Sequence, residues 1–142
     1  MTGSPPIDAE RAFTRSARAR RRAALARRLR RLTPARDRLA VFDERAARCL
    51  AAGRTRLREI PLDAIGATLE PSRARLFDAC FRPAAAARPR WQRVWLAEHR
   101  GAVLPPISVV QVGDTFAVRD GHHRVSVAKA RGALTIDAIV ES

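Results

Sequence analysis

The sequence predicts a small α/β (α+β) protein in which an Arg-rich helical hairpin precedes a small mixed sheet with helices. The first third is rich in Ala, Leu and Arg, which are strong helix formers. The C-terminal part instead alternates β-branched runs with one-sided helical segments. A shift in composition at residues 53–58 separates the two parts, so the predicted domains are residues 1–55 and residues 56–142.

Length and composition exclude several classes of protein. The chain has 142 residues, a length typical of one domain, and no apolar run of about 18 residues that would span a membrane. The start, MTGSPPIDAE, lacks the basic and apolar regions of a secretory signal. Cys49 and Cys80 lie far apart without metal-ligand spacing, so we expect a cytoplasmic protein with no disulfide framework, metal site or membrane partner.

The basic charge is concentrated in one part of the chain. Residues 11–58 contain 17 Arg and 3 acidic residues, a net charge of +14, whereas residues 59–142 carry only +2. Part of this excess reflects a preference for Arg over Lys that resembles the composition of GC-rich bacterial genomes. Three interpretations stay open: sequence-independent nucleic-acid binding, a solvated helix pair that packs on the second domain, or docking to an acidic protein.

The predicted hairpin consists of two helices. The first covers residues 8–32, and Thr33 and Pro34 are suited to the N-cap and first position of the second. The second helix is predicted to run to Leu50, with Gly53 as its C-terminal cap. Its apolar positions at helical spacing are Leu39, Phe42, Ala46, Cys49 and Leu50.

The middle of the chain is less regular. Residues 57–62 are predicted to form a strand that Pro61 places at a sheet edge or at its own end. Residues 63–69 are predicted to form a short helical turn, and residues 73–81 receive no assignment.

A helix follows that begins at Pro89 and ends near Gly101. Trp91 and Trp95 lie four positions apart on one face of this helix. We expect both to pack in the core rather than to stack on a nucleobase.

The C-terminal part has the clearest pattern. Residues 107–112 and 115–119 are predicted to form a β-hairpin around the turn Gly113-Asp114. Residues 122–131 then form a one-sided helix, and residues 135–140 form a last strand.

The turn between this hairpin and the last helix, VRDGHHR, is the strongest candidate site. Gly121 lets the backbone approach a ligand without a Cβ in the way. The amides of His122, His123 and Arg124 would lie in the first helical turn, where unpaired N–H groups and the helix dipole favour a phosphate. Arg124 adds a bidentate clamp, and the histidines donate hydrogen bonds or titrate near neutral pH.

A simpler interpretation of this turn is that Asp120 caps the helix and that the histidines are surface or packing residues. If the turn does bind phosphate, Arg73 and Arg75 in a preceding loop are candidates for further phosphate contacts. Asp120 belongs to the same turn, and we include it among the candidate phosphate-binding residues.

Four carboxylates are candidates for holding Mg²⁺ against bound phosphates, since carboxylates suit hard cations. The alternative, which we favour, is that these side chains cap turns or face solvent, and no metal site is assigned to them. They are Asp63, Asp120, Glu59 and Asp78.

The segment LPPISVVQVGDTFAVRDGHHRVSVAKARG resembles the ParB/sulfiredoxin superfamily, in which a hairpin leads through a Gly-x-x-Arg turn into a helix that ends in Gly. REIPLDAI resembles the opening strand of that superfamily, and the resemblance covers residues 56–141. It implies a sulfiredoxin-like fold and nucleotide binding, since ParB proteins bind CTP, sulfiredoxin binds ATP and a related kinase uses ADP. It also implies phosphate contacts from residues 121–124. A nucleoside triphosphate with Mg²⁺ is a candidate cofactor, and no other cofactor is assigned.

Two departures restrict what the resemblance implies. His122 stands where sulfiredoxin has its reactive cysteine, so sulfinic-acid repair is not expected. Partition-type ParB proteins have Gly-Glu-Arg-Arg at the turn and continue into a helix-turn-helix domain, so a chromosome-partition clamp is not expected from this chain. The carboxylate cluster of a metal-dependent nuclease is also missing.

The leading functional hypothesis is a nucleotide-binding module with a regulatory or DNA-associated role. The first alternative is a small phosphotransferase or nucleotide hydrolase that uses His122 or His123 as a general base. The second is a nucleic-acid-binding protein acting through residues 11–58. Nucleotide is the expected partner, nucleic acid is a candidate partner, and a homo-oligomer is compatible with the sequence.

Overall fold

The computed structural model describes residues 4–142, which form four α-helices and one six-stranded mixed sheet. The predicted mixed α/β class is therefore confirmed. Within these residues, no helix combines the length and apolarity needed to cross a membrane. In chain order the elements are α1 (Pro5–Leu29), β1 (Ala40–Val41), α2 (Glu44–Leu50), β2 (Thr55–Pro61), β3 (Ile65–Thr68), α3 (Arg88–His99), β4 (Ile107–Val112), β5 (Thr115–Asp120), α4 (His122–Ala130) and β6 (Thr135–Glu141).

The strand order of the sheet is β1-β3-β5-β4-β6-β2. The pairs β1–β3, β3–β5 and β4–β6 are parallel, whereas β4–β5 and β2–β6 are antiparallel. The predicted β-hairpin is confirmed, and its two strands are β4 and β5. Strand β2 is an edge strand that ends at Pro61, as the sequence indicates. The central strand β5 leads directly into α4, so the predicted turn lies at the carboxyl end of the middle of the sheet.

Alternate residues of the two central strands face two separate apolar clusters. Ile107, Val109 and Val118 belong to the main core, which α1, α3 and α4 also build. Val110 and Ala117 belong to a smaller cluster on the other face, together with Ala47 of α2, Ala67 and Leu69. Successive side chains of a strand point to opposite faces of the sheet, so the strand supplies apolar residues to the cluster on each face.

The main core joins α1 to α3 and α4. The ring of Phe13 packs edge-on against Trp91, with centroids 5.5 Å apart. Trp91 is fully buried, and its Nε1 donates to Ser126 Oγ at 2.8 Å while that hydroxyl donates to the Phe81 carbonyl at 2.6 Å. Trp95 is only 9% exposed, so the predicted core role of both tryptophans is confirmed.

The structure differs from the predicted N-terminal helical hairpin in the second half of that hairpin. The first helix is confirmed and ends at Leu29, but Pro34–Asp37 form only a 3₁₀ turn, which the Thr33 side chain caps. Two residues of β1 then join the sheet by pairing with β3, and α2 is a seven-residue helix capped by Asp43. Leu39 is buried in the main core, a tertiary contact that overrides the local helical pattern. The boundary at residue 55 stays a prediction, although Phe13 shares a core with the later residues.

The prediction of a helical turn over residues 63–69 is wrong for residues 65–68, which form a strand. Leu62–Ala64 form a 3₁₀ turn, but Ile65–Thr68 form β3, which lies between β1 and β5. Three of the four β3 residues are buried, so the strand has too little alternation to be recognised from sequence. Its last residue, Thr68, contacts the candidate site.

Candidate functional site

A cavity of about 550 Å³ lies at the junction of β5 and α4. It brings together residues 119–124 of the predicted turn and Arg73, one of the two arginines predicted to assist it. Its wall includes residues from the loop after β3, from α3, and from the β5–α4 junction. They are Glu70, Ser72, Arg73, Arg90, Val94, Arg119, Asp120, Gly121, His122, His123 and Arg124.

The first turn of α4 has no side-chain cap. Gly121 occupies the N-cap position, so the structure differs from the interpretation in which Asp120 caps the helix. The N–H groups of residues 122–124 have no acceptor within the helix, because the first turn of any α-helix leaves its amides unpaired. They lie at the positive end of the helix dipole, which favours an anion at this wall of the cavity.

Gly121 is required by packing. Its φ of 109° lies in the left-handed region, and a Cβ at this position would lie 2.8 Å from Cβ of Ile107 and closer still to Cγ2 of the same side chain. From sequence, the missing Cβ is expected to make room for an approaching ligand. In the structure the nearest obstacle is instead Ile107, the buried first residue of β4.

His122 is held rigidly behind the turn. It is 4% exposed, its Nε2 lies 2.6 Å from Thr68 Oγ1, and its ring stacks on Phe77. Burial, assisted by the positive charge of Arg73 and by His123, lowers the pKa of His122 to about 4. The imidazole is therefore neutral near pH 7.

His123 has a different environment. It is 7% exposed and lies edge-on to Phe77, with ring centroids 5.1 Å apart. Across residues 4–142, its ring nitrogens form no hydrogen bond, although the residue lines the cavity. Burial, together with Arg90, Arg73 and Arg93, lowers the pKa of His123 to about 4. It is thus a neutral, nearly buried imidazole whose hydrogen-bonding capacity is left unused by the described part of the protein.

Arg124 is largely occupied by its own protein. Its Nη1 donates to the carbonyls of Pro105 and Pro106, and its Nη2 donates to Asp120 Oδ2 at 3.1 Å. These bonds position the loop that enters β4 against the start of α4. The role of Arg124 as a phosphate clamp stays a prediction, and it would have to use the guanidinium N–H groups that remain.

The other three arginines of the cavity differ in their pairing. Arg119 is neutralised by Glu44 at 3.1 Å and by Glu141 at 2.9 Å. By contrast, Arg73 and Arg90 form no ion pair and no side-chain hydrogen bond in the described part of the chain. The guanidinium groups of these two arginines are therefore the unpaired positive charges that line the cavity, and the carboxylate of Glu70 lines it as well.

The structure does not bring Arg75 to the cavity. Its side chain is exposed and lines a separate hollow near β1. Sequence reasoning missed Arg90 and Thr68, which come from α3 and β3. The signal for Arg90 is its spacing from Val94, since residues four apart on a helix share a face, and that face differs from the one that buries Trp91.

The four candidate carboxylates for Mg²⁺ do not converge. Asp78 is buried and accepts from the backbone amides of Cys80 and Arg82, while Glu59 accepts from Thr135. Asp63 is exposed and lines another hollow. Within residues 4–142 no three His, Cys, Asp or Glu side chains are grouped as metal ligands.

The acidic residues that line the cavity are Glu70 and Asp120, and Asp120 already pairs with Arg124. A Mg²⁺ ion that accompanies a nucleotide commonly binds one or two carboxylates and the ligand's phosphates. Glu70 is therefore the residue that would contact such an ion.

The fold and the cavity define a small mixed α/β protein with a basic pocket at the start of its last helix. Among solved structures, the chain is similar to a crystal structure of sulfiredoxin from Arabidopsis thaliana, with 20% identity and a TM-score of 0.44. The match covers 60% of this chain and 83% of that one. No protein-family model and no curated protein matches the chain. Membership of the ParB/sulfiredoxin superfamily therefore stays a proposal.

Proposed function

We propose that the protein binds a small phosphate-bearing ligand of the nucleotide class in the cavity at the start of α4. The observation that carries this proposal is the convergence of four features on one cavity. An uncapped helical turn meets His123, which has no hydrogen-bond partner among residues 4–142, and the unpaired cations Arg73 and Arg90. A volume of about 550 Å³ lies in the range of small-molecule sites.

Each feature suits a different part of phosphate recognition. The backbone amides of residues 122–124 donate hydrogen bonds where the helix dipole favours negative charge. Arg73 and Arg90 approach from two other walls and supply charge-assisted hydrogen bonds. The neutral ring of His123 can donate one further hydrogen bond to a phosphate oxygen.

A nucleotide suits this cavity better than a lone phosphate because the volume exceeds what one phosphate group needs. The resemblance of residues 104–132 to the ParB/sulfiredoxin superfamily supports the same ligand class. On this proposal the protein is a nucleotide-binding module, and its role is regulatory or DNA-associated.

The pKa values favour binding over base catalysis. A general base works best when its pKa lies near the operating pH, whereas both histidines have a pKa of about 4. Turnover of a nucleotide that is lost on His122→Ala or His123→Ala would instead support the phosphotransferase or hydrolase alternative.

Calorimetric titration with CTP, ATP, ADP and GTP tests the proposal. We expect binding of at least one nucleotide, weakened about 100-fold in the double variant Arg73→Gln/Arg90→Gln, since each lost charge-assisted contact costs about 1.4 kcal/mol. Arg75→Gln/Arg100→Gln is the matched control, because it removes the same charge at two exposed arginines that do not line the cavity. Its affinity should stay within about twofold of the wild type.

Two results would contradict the proposal. One is the absence of binding to all four nucleotides at millimolar concentration. The other is an equal loss of affinity in the Arg75→Gln/Arg100→Gln control, which would show that net charge rather than the cavity attracts the ligand. Inorganic phosphate, titrated alongside, separates recognition of the phosphate from recognition of the nucleoside.

A further inference from the structure

We propose that the outer face of α1 is a second binding surface, which contacts the phosphodiester backbone of duplex nucleic acid without reading its sequence. This surface is separate from the cavity at α4 and does not depend on the proposed function. It consists of Arg11, Arg15, Arg18 and Arg22, together called the α1 arginine face.

Helix geometry places these arginines together. With about 100° between successive residues, all four lie within an arc of about 60°, on the side opposite Phe13 and Ala17, which are buried in the core. All four border one shallow hollow along the helix. At about 1.5 Å per residue, the face is roughly 16 Å long.

The α1 arginine face has no internal compensation. None of its guanidinium groups forms an ion pair or a side-chain hydrogen bond within residues 4–142. Arg27, by contrast, pairs with Asp37, and Arg20 donates to the Asp37 carbonyl. The acidic side chain that borders the same hollow is Glu10, at its edge. Four like charges on one helix face repel each other, and a polyanion relieves this repulsion.

Duplex nucleic acid matches this surface in charge and in chemistry. Each strand of B-DNA carries a phosphate about every 3.4 Å of helix axis, so each of the four arginines can meet a phosphate over roughly 16 Å. The face contains no aromatic side chain, so it has no platform for stacking unpaired bases and no aromatic anchor for a protein partner.

An anionic membrane fits the same charge less well. An amphipathic helix binds a membrane by inserting an apolar face opposite its charges. Along residues 9–17 of α1 that opposite face is already covered, since Phe13 packs against Trp91 and Arg88 lies over the Phe13 ring.

Fluorescence anisotropy with a mixed-sequence duplex of about 25 base pairs tests the proposal. If four phosphates are neutralised, the logarithm of the affinity falls against the logarithm of salt concentration with a slope of about −3.6. Raising NaCl from about 50 mM to about 200 mM then weakens binding about 100-fold. A single strand of the same length should bind no more tightly than the duplex.

Two quadruple variants separate this surface from net charge. Changing the α1 arginine face to Gln keeps helix propensity and should weaken duplex binding at least about 30-fold at low salt and flatten the salt slope. The control removes the same charge at exposed arginines that form no ion pair within residues 4–142. It combines Arg45→Gln, Arg56→Gln, Arg75→Gln and Arg100→Gln, and should stay within about threefold of the wild type.

Changing the same four arginines to Lys should retain binding, and circular dichroism checks that α1 remains folded. If the Gln variant does not fold, the double variant Arg18→Gln/Arg22→Gln should lower the magnitude of the salt slope by about 2. The proposal is overturned if the wild type does not bind duplex at low salt, if both quadruple variants lose affinity equally, or if anionic vesicles bind while duplex does not. The Arg73→Gln/Arg90→Gln variant should still bind duplex, so failure at one surface is distinguishable from failure at the other.

Discussion

Acidification from pH 7.5 to pH 5 should destabilise the folded protein by about 3 kcal/mol through His122 and His123 alone. Both have a pKa of about 4 in the fold, compared with an ordinary value of 6.5. Between these values the unfolded chain binds protons that the folded chain does not. The stability is therefore fully present above pH 6.5 and is lost as the pH falls towards 4.

The two histidines contribute unequally. His122, whose ring is hydrogen-bonded to Thr68, should account for about 2 kcal/mol of this change. The ring of His123 has no hydrogen-bond partner within residues 4–142 and lines the cavity, so solvent screening reduces its share. Urea unfolding at pH 7.5, 6.5 and 5 measures the effect. The His122→Gln variant should lose most of the pH dependence over this interval, and an unchanged dependence would contradict the assignment.

Gly121→Ala should lower the free energy of unfolding by about 3 kcal/mol. The left-handed backbone costs an alanine about 1–2 kcal/mol, and the overlap of its Cβ with Ile107 adds a cost of similar size. Gly113→Ala is the matched control, because Gly113 has a φ of 61° but a methyl group there would meet no atom of residues 4–142 within 4 Å. It should cost only about 1 kcal/mol.

Urea unfolding of both variants at one pH gives the comparison. Equal losses in the free energy of unfolding would show that the backbone conformation alone accounts for the requirement for Gly121. They would also show that the Ile107 side chain can move aside without an energetic cost. A larger loss at Gly121 would show that the path of the chain between β5 and α4 is fixed by the first residue of β4.

The C-terminal half of the fold is predictable because its signals are local. Gly113, Gly121 and Gly132 punctuate the segments that form β4, β5 and α4, and each has a positive φ. Strands β1 and β3 are not predictable in this way. They have two and four residues, and their identity depends on pairings such as Ala40 with Ala67, which the local pattern does not encode.

The residues of the candidate site are likewise of two kinds, those that local sequence predicts and those that it does not. The turn at residues 120–124 is contiguous, so its composition shows it. Thr68 and Arg90 reach the same place from β3 and α3, and the contact between Thr68 and His122 joins residues 54 positions apart. The hydrogen bonds from Arg124 to the carbonyls of Pro105 and Pro106 cannot be predicted from the sequence either, because they depend on how the loop before β4 packs against α4.

The contact between Phe13 and Trp91 packs the Arg-rich helix α1 against the main core. Deleting residues 1–55 would uncover the indole and leave Arg119 without Glu44. The sheet would also lose the edge strand beside β3. Any change to the charge of this basic segment therefore acts on a helix that also packs against the main core.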